Sequence, residues 1–340
     1  MNKPEYWREG SCGGSAMKAV VQHQYGTPEA VMTLEDADKP VPGDDEVLVR
    51  VRAASVNPPD WAGVHGVPYI VRAAFGLSRP KLATRGSDLA GVVEAVGNNV
   101  KGLRVGDEVF GRGAGTFAEY AVAPEAHLVT KPGNITFEQA GAVAMSGLTA
   151  LQALRDSGGI KSGQKVLIVG AGGGIGTFAV QIAKSYGAQV TGVCSTSKLE
   201  LVRPLGADHV IDYTQEDFTQ GEERYDLILD NVLQHSLSEL LRALNRDGTL
   251  VPNGGQFYKR VFASVGVLMI KAPLLSLVVP QKINVCSERP NQQDLLVLKD
   301  LMESEKVKPV VGRTYPLSQA ADAISFFGEG HAEGKVVITV

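Results

Sequence analysis

The stretch "KVLIVGAGGGIGTFAVQIAKSYGAQVTGVCSTSK", Lys165 to Lys198, constrains the fold more than any other part of the chain. Val166 to Val169 predict a buried strand, and Ala171 to Gly176 a glycine-rich turn. Ile175, Phe178, Ala179, Ile182 and Ala183 then form an apolar helical stripe that leads to a second strand. Units of this kind build parallel sheets. The turn reads A-x-G-x-x-G, with Ala171 where the Rossmann pattern has its first glycine. Gly173 lets a backbone approach a pyrophosphate, Gly176 lets helix and strand pack closely, and the helix start supplies N–H donors. The plain alternative is a structural glycine-rich turn, but the flanking strands and helix point to a dinucleotide site.

At the end of the second strand an Asp or Glu would accept from an adenosine ribose 2′-OH. Val193, Cys194 and Ser195 stand there instead, while Ser195, Thr196 and Lys198 can all donate to a 2′-phosphate. NADPH is therefore expected. The plain alternative for Lys198 is a solvated residue in the first turn of the next helix. The missing acid is the stronger half of the argument, since a carboxylate would repel the phosphate.

From Met17 to about Asn134 the pattern is different, with short alternating strands such as "EVLVRVRAASV", where Val47, Val49 and Val51 share a face. Glycine-rich returns suit a compact barrel-like domain. Past "GLTALQAL" the period changes to βαβ units, with strands "KVLIVG", "QVTGV", "HVID", "YDLILD" and "GTLV". "SLSELLRAL" opens on the capping box Ser236 to Glu239 and sets Leu237, Leu240, Leu241 and Leu244 on one face. After Pro290 come a helix around Leu295, Leu298 and Leu301, a second helix "SQAADAISFF", and a last strand "GKVVITV".

A chain of 340 residues is long enough for two domains. Its formal charge of -4 offers no basic face for nucleic acid, so a small-molecule partner is expected. Cys12, Cys194 and Cys286 have no C-x-x-C spacing, and six scattered histidines show no ligand spacing, which reads as a cytoplasmic protein without a zinc knuckle. Residues 1–16 lack an apolar h-region and read as a loose N-terminal arm. The apolar run Val261 to Val279 is nearly long enough to span a bilayer, but Lys271 and Pro273 argue against it. It reads as a buried or lid-forming segment, with peripheral membrane contact as the minority option.

Several ordered motifs carry a family resemblance: "ASVNPPDW", "GSDLAGVVEAVG", "VGDEVFG", "GLTALQAL", "LGADHVIDY" and "GHAEGKVVITV". Over nearly all of Met17 to Val340 the chain resembles the zinc-independent, quinone oxidoreductase-like branch of the medium-chain dehydrogenase/reductase superfamily, whose members often carry the label alcohol dehydrogenase. The resemblance implies an α/β architecture. A GroES-like β-barrel catalytic domain would occupy 17–140 and a Rossmann doubly wound parallel-sheet domain, binding NADP, 141–280. Residues 281–340 would complete the sheet and return to the first domain. It also implies that Gly172, Gly174 and Ile175 lie on the pyrophosphate and that Ser195, Lys198 and Tyr213 surround the 2′-phosphate. His331, Ala332 and Glu333 would lie near the nicotinamide end, Glu333 fitting least, because a basic residue is common there in relatives. Asn231, following "YDLILD", is counted with the cofactor set. Relatives often dimerise, so a homodimer is an alternative use of the Val261 to Val279 surface.

Zinc-dependent relatives need a Cys where this chain has Pro58 and Pro59, and a His-Glu pair where it has Ser87 and Asp88. No metal is expected. Without a Lewis acid the acceptor should already be electrophilic, a quinone or an α,β-unsaturated carbonyl. Asn57 and Tyr69 are the expected hydrogen-bond donors, with Tyr69 or water as proton source and Asp60 as a loop organiser. The plain readings are a packing aromatic for Tyr69 and a turn former for Asn57. Ser146 and Thr149 would bond the nicotinamide ribose or carboxamide, or else cap the interdomain helix. The loop Val64 to Leu77 is expected to wall an acceptor channel together with Val261 to Val279. Two other functions stay open: an NADP-dependent alcohol dehydrogenase or aldehyde reductase, and a non-catalytic NADPH-binding protein.

Overall fold

Strands β8 (Lys165–Val169), β9 (Gln189–Cys194), β10 (His209–Asp212), β11 (Tyr225–Asp230), β12 (Leu244–Pro252) and β13 (Lys282–Ile283) lie in the order β10-β9-β8-β11-β12-β13. Every pairing is parallel. The order reverses between β8 and β11, so the turn after β8 opens at the switch point, where ligands bind in such sheets. These details come from a computed structural model, which describes residues 16–253 and 279–340. The N-terminal arm up to residue 15 and nearly all of the run Val261 to Val279 lie outside the described residues.

The other half is a seven-stranded sheet, built from β3 (Glu46–Ser55), β4 (Asp88–Val96), β5 (Glu108–Arg112), β7 (Leu128–Thr130), β14 (Val311–Pro316) and β15 (Lys335–Thr339), with β6 (Tyr120–Pro124) against β3. A separate antiparallel pair joins β1 (Ala16–Gln22) to β2 (Met32–Asp38). Val47, Val49 and Val51 are buried as the alternation predicts, but Leu48 is buried too, because β3 is covered by the sheet's own closure and by neighbouring helices. The last strand, β15, runs antiparallel to β3 and pairs Val337 with Ser55, so the C-terminus returns to the first sheet.

Between the sheets, the helix Ala144–Gln152 packs on the helix Gly174–Ser185 and on the helix Gln292–Glu303, which buries Leu295, Leu298 and Met302. Leu298 lies against Gly147, where a Cβ would come within 3.0 Å of it. One expected face changes. The capping box of Ser236 and Glu239 forms, but the helix ends at Ala243, and Leu244 starts β12 because its backbone pairs with Tyr225. Among the described residues no helix is long and apolar enough to cross a membrane.

Candidate functional site

The glycine turn follows β8 directly, and the helix Gly174–Ser185 starts from Gly173 with no side-chain cap. With no side-chain cap, the start of this helix offers backbone N–H donors of the kind that bind anions, although the Gly173–Gly334 bridge turns the Gly174 N–H toward Gly334 O. Gly176 is required by close approach, since a Cβ there would lie 2.1 Å from Gly170 O. Ala171 replaces the usual first glycine at no steric cost, because its methyl faces Gly192 on β9, where a Cβ would be 3.0 Å away. Phe178, Ala179, Ile182 and Ala183 are buried as the stripe requires.

At the adenosine side, Lys198 folds back along the turn, so that a Cβ on Gly172 would meet its Cδ at 2.7 Å. Its Nζ donates to Ala332 O at 2.7 Å. Burial lowers the Lys198 pKa, and the Glu333 carboxylate opposes that shift. Gly334 donates its N–H to Gly172 O and pairs with Gly173, so Gly334 is pinned on the turn itself and Ala332 is tied to it through Lys198. Ser195 shares a hydrogen bond with Ser197, and Tyr213 is 56% exposed with its N–H on Cys194 O. Asn231 braces the strand ends, donating to Val169 O and accepting from Asn253.

The structure adds an acid that the run after β9 did not reveal. Asp212 closes β10 in register with Cys194, and its carboxylate accepts from the Thr196 and Thr214 hydroxyls. The signal was present in the strand "HVID", whose parallel pairing with β9 carries Asp212 to the same sheet edge. A glycine cradle lined by Lys198 fits a dinucleotide; the nearby Asp212 and Glu333 make the choice between NADP and NAD a matter of balance.

On the other side of Gly174 lies a buried polar seam. Asn57 Nδ2 donates to Asp88 Oδ2 at 2.9 Å and to Ser55 O at 3.1 Å, while its Oδ1 accepts from Lys335 Nζ at 2.5 Å. Asp88, fully buried, also accepts from Ser55 Oγ and from the Met145 N–H at the start of the interdomain helix. Asp60 organises the loop by accepting from the Asn57 and Gly86 N–H groups. Burial pushes its carboxyl up to about 6, and Asp88 adds to the shift. Burial also lowers the Lys335 pKa, against the pull of Asp88 and Asp60. Lys335 was not singled out by the sequence, where it reads as the first residue of an ordinary strand.

Ser146 and Thr149 are both buried in the helix Ala144–Gln152, but neither caps it; Val143 is the N-cap residue. Ser146 Oγ lies against Gly174, and Thr149 Oγ1 bonds back to Met145 O. Tyr69 stands apart, 74% exposed, with the Arg72 guanidinium 4.7 Å above its ring. Val64 is buried in the first core and Leu77 is exposed, so the described half of the expected channel is not one continuous wall. A polar cleft of about 640 Å³ lies at the opposite edge of the parallel sheet, near Asp226 and Lys282, away from the turn.

Among the described residues no three His, Cys, Asp or Glu side chains gather as a metal would require. Asp88 has both oxygens engaged by protein donors. The described residues around Asp88 do not fit a catalytic zinc ion.

A Rossmann sheet whose dinucleotide turn abuts the polar loop of a GroES-like sheet defines an oxidoreductase that uses a nicotinamide nucleotide, NAD(P)H. Family models agree, matching "Alcohol dehydrogenase GroES-like domain" at residues 43–133 and "Zinc-binding dehydrogenase" at 205–338. The chain is 33% identical over 339 residues to 2-methylene-furan-3-one reductase of Solanum lycopersicum, covering 95% of this chain and 79% of that protein. It is 32% identical to the chloroplast envelope quinone oxidoreductase homolog of Arabidopsis thaliana, over 96% and 99% of the two chains. Among solved structures, the quinone oxidoreductase from Coxiella burnetii superposes with a TM-score of 0.83 at 27% identity, over 96% of this chain and all of that one. The chain belongs to the medium-chain dehydrogenase/reductase superfamily, in its quinone oxidoreductase-like branch.

Proposed function

We propose that this chain reduces quinones or α,β-unsaturated carbonyls with NADPH and uses no metal ion in doing so. The observation that carries the reading is the convergence at Gly174, where the dinucleotide turn, Ser146 and the Asn57–Asp88–Lys335 seam meet. Relatives named for quinone, furanone and alkenal/one reduction support the substrate class, and a mycobacterial protein solved with NADPH, at a TM-score of 0.78 and 26% identity over 95% of this chain and all of that one, supports the cofactor. When bound, NADPH supplies hydride from its nicotinamide ring.

The chain's own residues do the rest. The helix-start amides of Ile175 and Gly176 bind the pyrophosphate, with Gly172 and Gly174 lying against it, and Lys198, with Ser195, takes the 2′-phosphate. Ser146, buried against Gly174, orients the nicotinamide half. Asn57 is held rigidly rather than left free to donate, since both its amide hydrogens are engaged, so its part is to shape the acceptor side of the cleft. Tyr69 or water returns the proton, Tyr69 reaching the cleft only through movement of its exposed loop.

The test is NADPH oxidation in the presence of a strong chelator, over a panel of quinones, enones, enals and simple aldehydes. Turnover of the first three, without aldehyde activity, is expected. Aldehyde or alcohol turnover alone would favour an alcohol dehydrogenase, and tight NADPH binding without any turnover would favour a binding protein.

A further inference from the structure

Two successive residues stitch the dinucleotide turn to the acceptor loop. Gly334 gives its N–H to Gly172 O, and Lys335 reaches the opposite way. Its Nζ lies 2.5 Å from Asn57 Oδ1, 3.3 Å from Val56 O and 3.8 Å from Asp88 Oδ2. The side chain is only 3% exposed, and its stem passes so close to Gly174 that a Cβ there would fall 2.9 Å from Lys335 Cδ. An ammonium is buried at high cost unless its partners are well placed, and here all of them come from the loop after β3 and from β4. Lys335 also fixes which way the Asn57 amide points, because a flipped amide would set its NH₂ against the ammonium.

We propose that Lys335 is a positioning residue for hydride transfer: by holding the Asn57 amide while packing against Gly174, it fixes the separation between the cofactor turn and the acceptor loop. The proposal rests on the reductase reading above. Misplacement of reacting groups by about 1 Å lowers a rate on the order of 100-fold without abolishing binding. Losing the ammonium should therefore act on kcat and on the pose of the nicotinamide, and leave the adenosine end alone.

Lys335→Met keeps the stem and removes the charge. We expect kcat to fall roughly 100-fold and the rise in NADPH fluorescence on binding to shrink, with affinity for 2′-phospho-ADP-ribose, which lacks the nicotinamide, held within about twofold. A folded variant with kcat and NADPH fluorescence like the wild type overturns the proposal. So does parallel weakening of both ligands, which marks general loosening. If Lys335→Met does not fold, Lys335→Arg keeps the charge beside Asp88 but brings a broad, planar head into a space shaped for an ammonium; kcat should fall about tenfold, and a wild-type value there is equally fatal. Failure of the wild type to reduce any quinone or enone would sink the reductase reading instead, and the fluorescence comparison would still test Lys335.

Discussion

The dinucleotide turn is built from one continuous run, Val166 to Gly176, whereas the seam beside it draws Ser55 and Asn57 from one strand end, Asp88 from β4, Met145 from the interdomain helix and Lys335 from the last strand. The first region is held by steric fit. Gly176 is fixed by how near Gly170 O comes, Gly172 and Gly174 by the stems of Lys198 and Lys335, and its stripe is apolar. The second is held by charge and hydrogen bonds among groups with almost no access to water. The two should therefore fail in different ways, the turn when volume is added and the seam when charge or protonation changes.

Volume should break the turn outright. Gly176→Val would drive a Cβ to 2.1 Å from Gly170 O, and overpacking of this kind costs about 3 kcal/mol or more. A lower melting temperature together with undetectable NADPH binding is expected; a variant that binds normally would show that the close approach is not needed.

Protonation should move the seam and leave the turn alone. The folded-state pKa of Asp60 is raised from 3.8 to about 6, so the folded state holds the proton more tightly than the unfolded chain. Its contribution is fully present below 3.8 and is lost as pH rises through about 6. A shift of this size corresponds to at most about 3 kcal/mol. Compared with Asp60→Asn, wild-type stability measured by denaturant titration should decline between these two values, and parallel curves would contradict the assignment.

Smaller effects belong to the adenosine side. Lys198→Ala should weaken NADPH binding by about 1 to 3 kcal/mol and leave NADH nearly unchanged, as expected for a charge-assisted bond to the 2′-phosphate. Equal losses for both cofactors would return Lys198 to its contact with Ala332. Asp212→Asn, at the exposed edge beside Thr196, should tighten NADPH by roughly twofold and lose even that at high salt.

The same contrast explains what could be read from the chain. The parallel sheet, the capping box at Ser236 and the glycine turn are local patterns, encoded by period and spacing within about a dozen residues. Asp60 was legible as a loop organiser because its partner Asn57 is three residues away. Lys335 was not legible, and Asp212 only through the pairing of "HVID" with β9, because what makes each important is a neighbour brought in by strand pairing, Lys335 meeting a residue 278 positions earlier and Asp212 one 16 positions earlier. The spacing of Leu244 fits a helix, and its pairing with Tyr225 overrides that preference.

In the proposed reaction hydride goes to the conjugate position of an activated acceptor. This is tested most directly by incubating the enzyme with an enone and NADPH deuterated at the transferable C4 position, in chelator, and locating the label by mass spectrometry and NMR. We expect a saturated ketone with deuterium on the former β-carbon. Deuterium on the carbonyl carbon of an allylic alcohol, the product of an alcohol dehydrogenase, would contradict it.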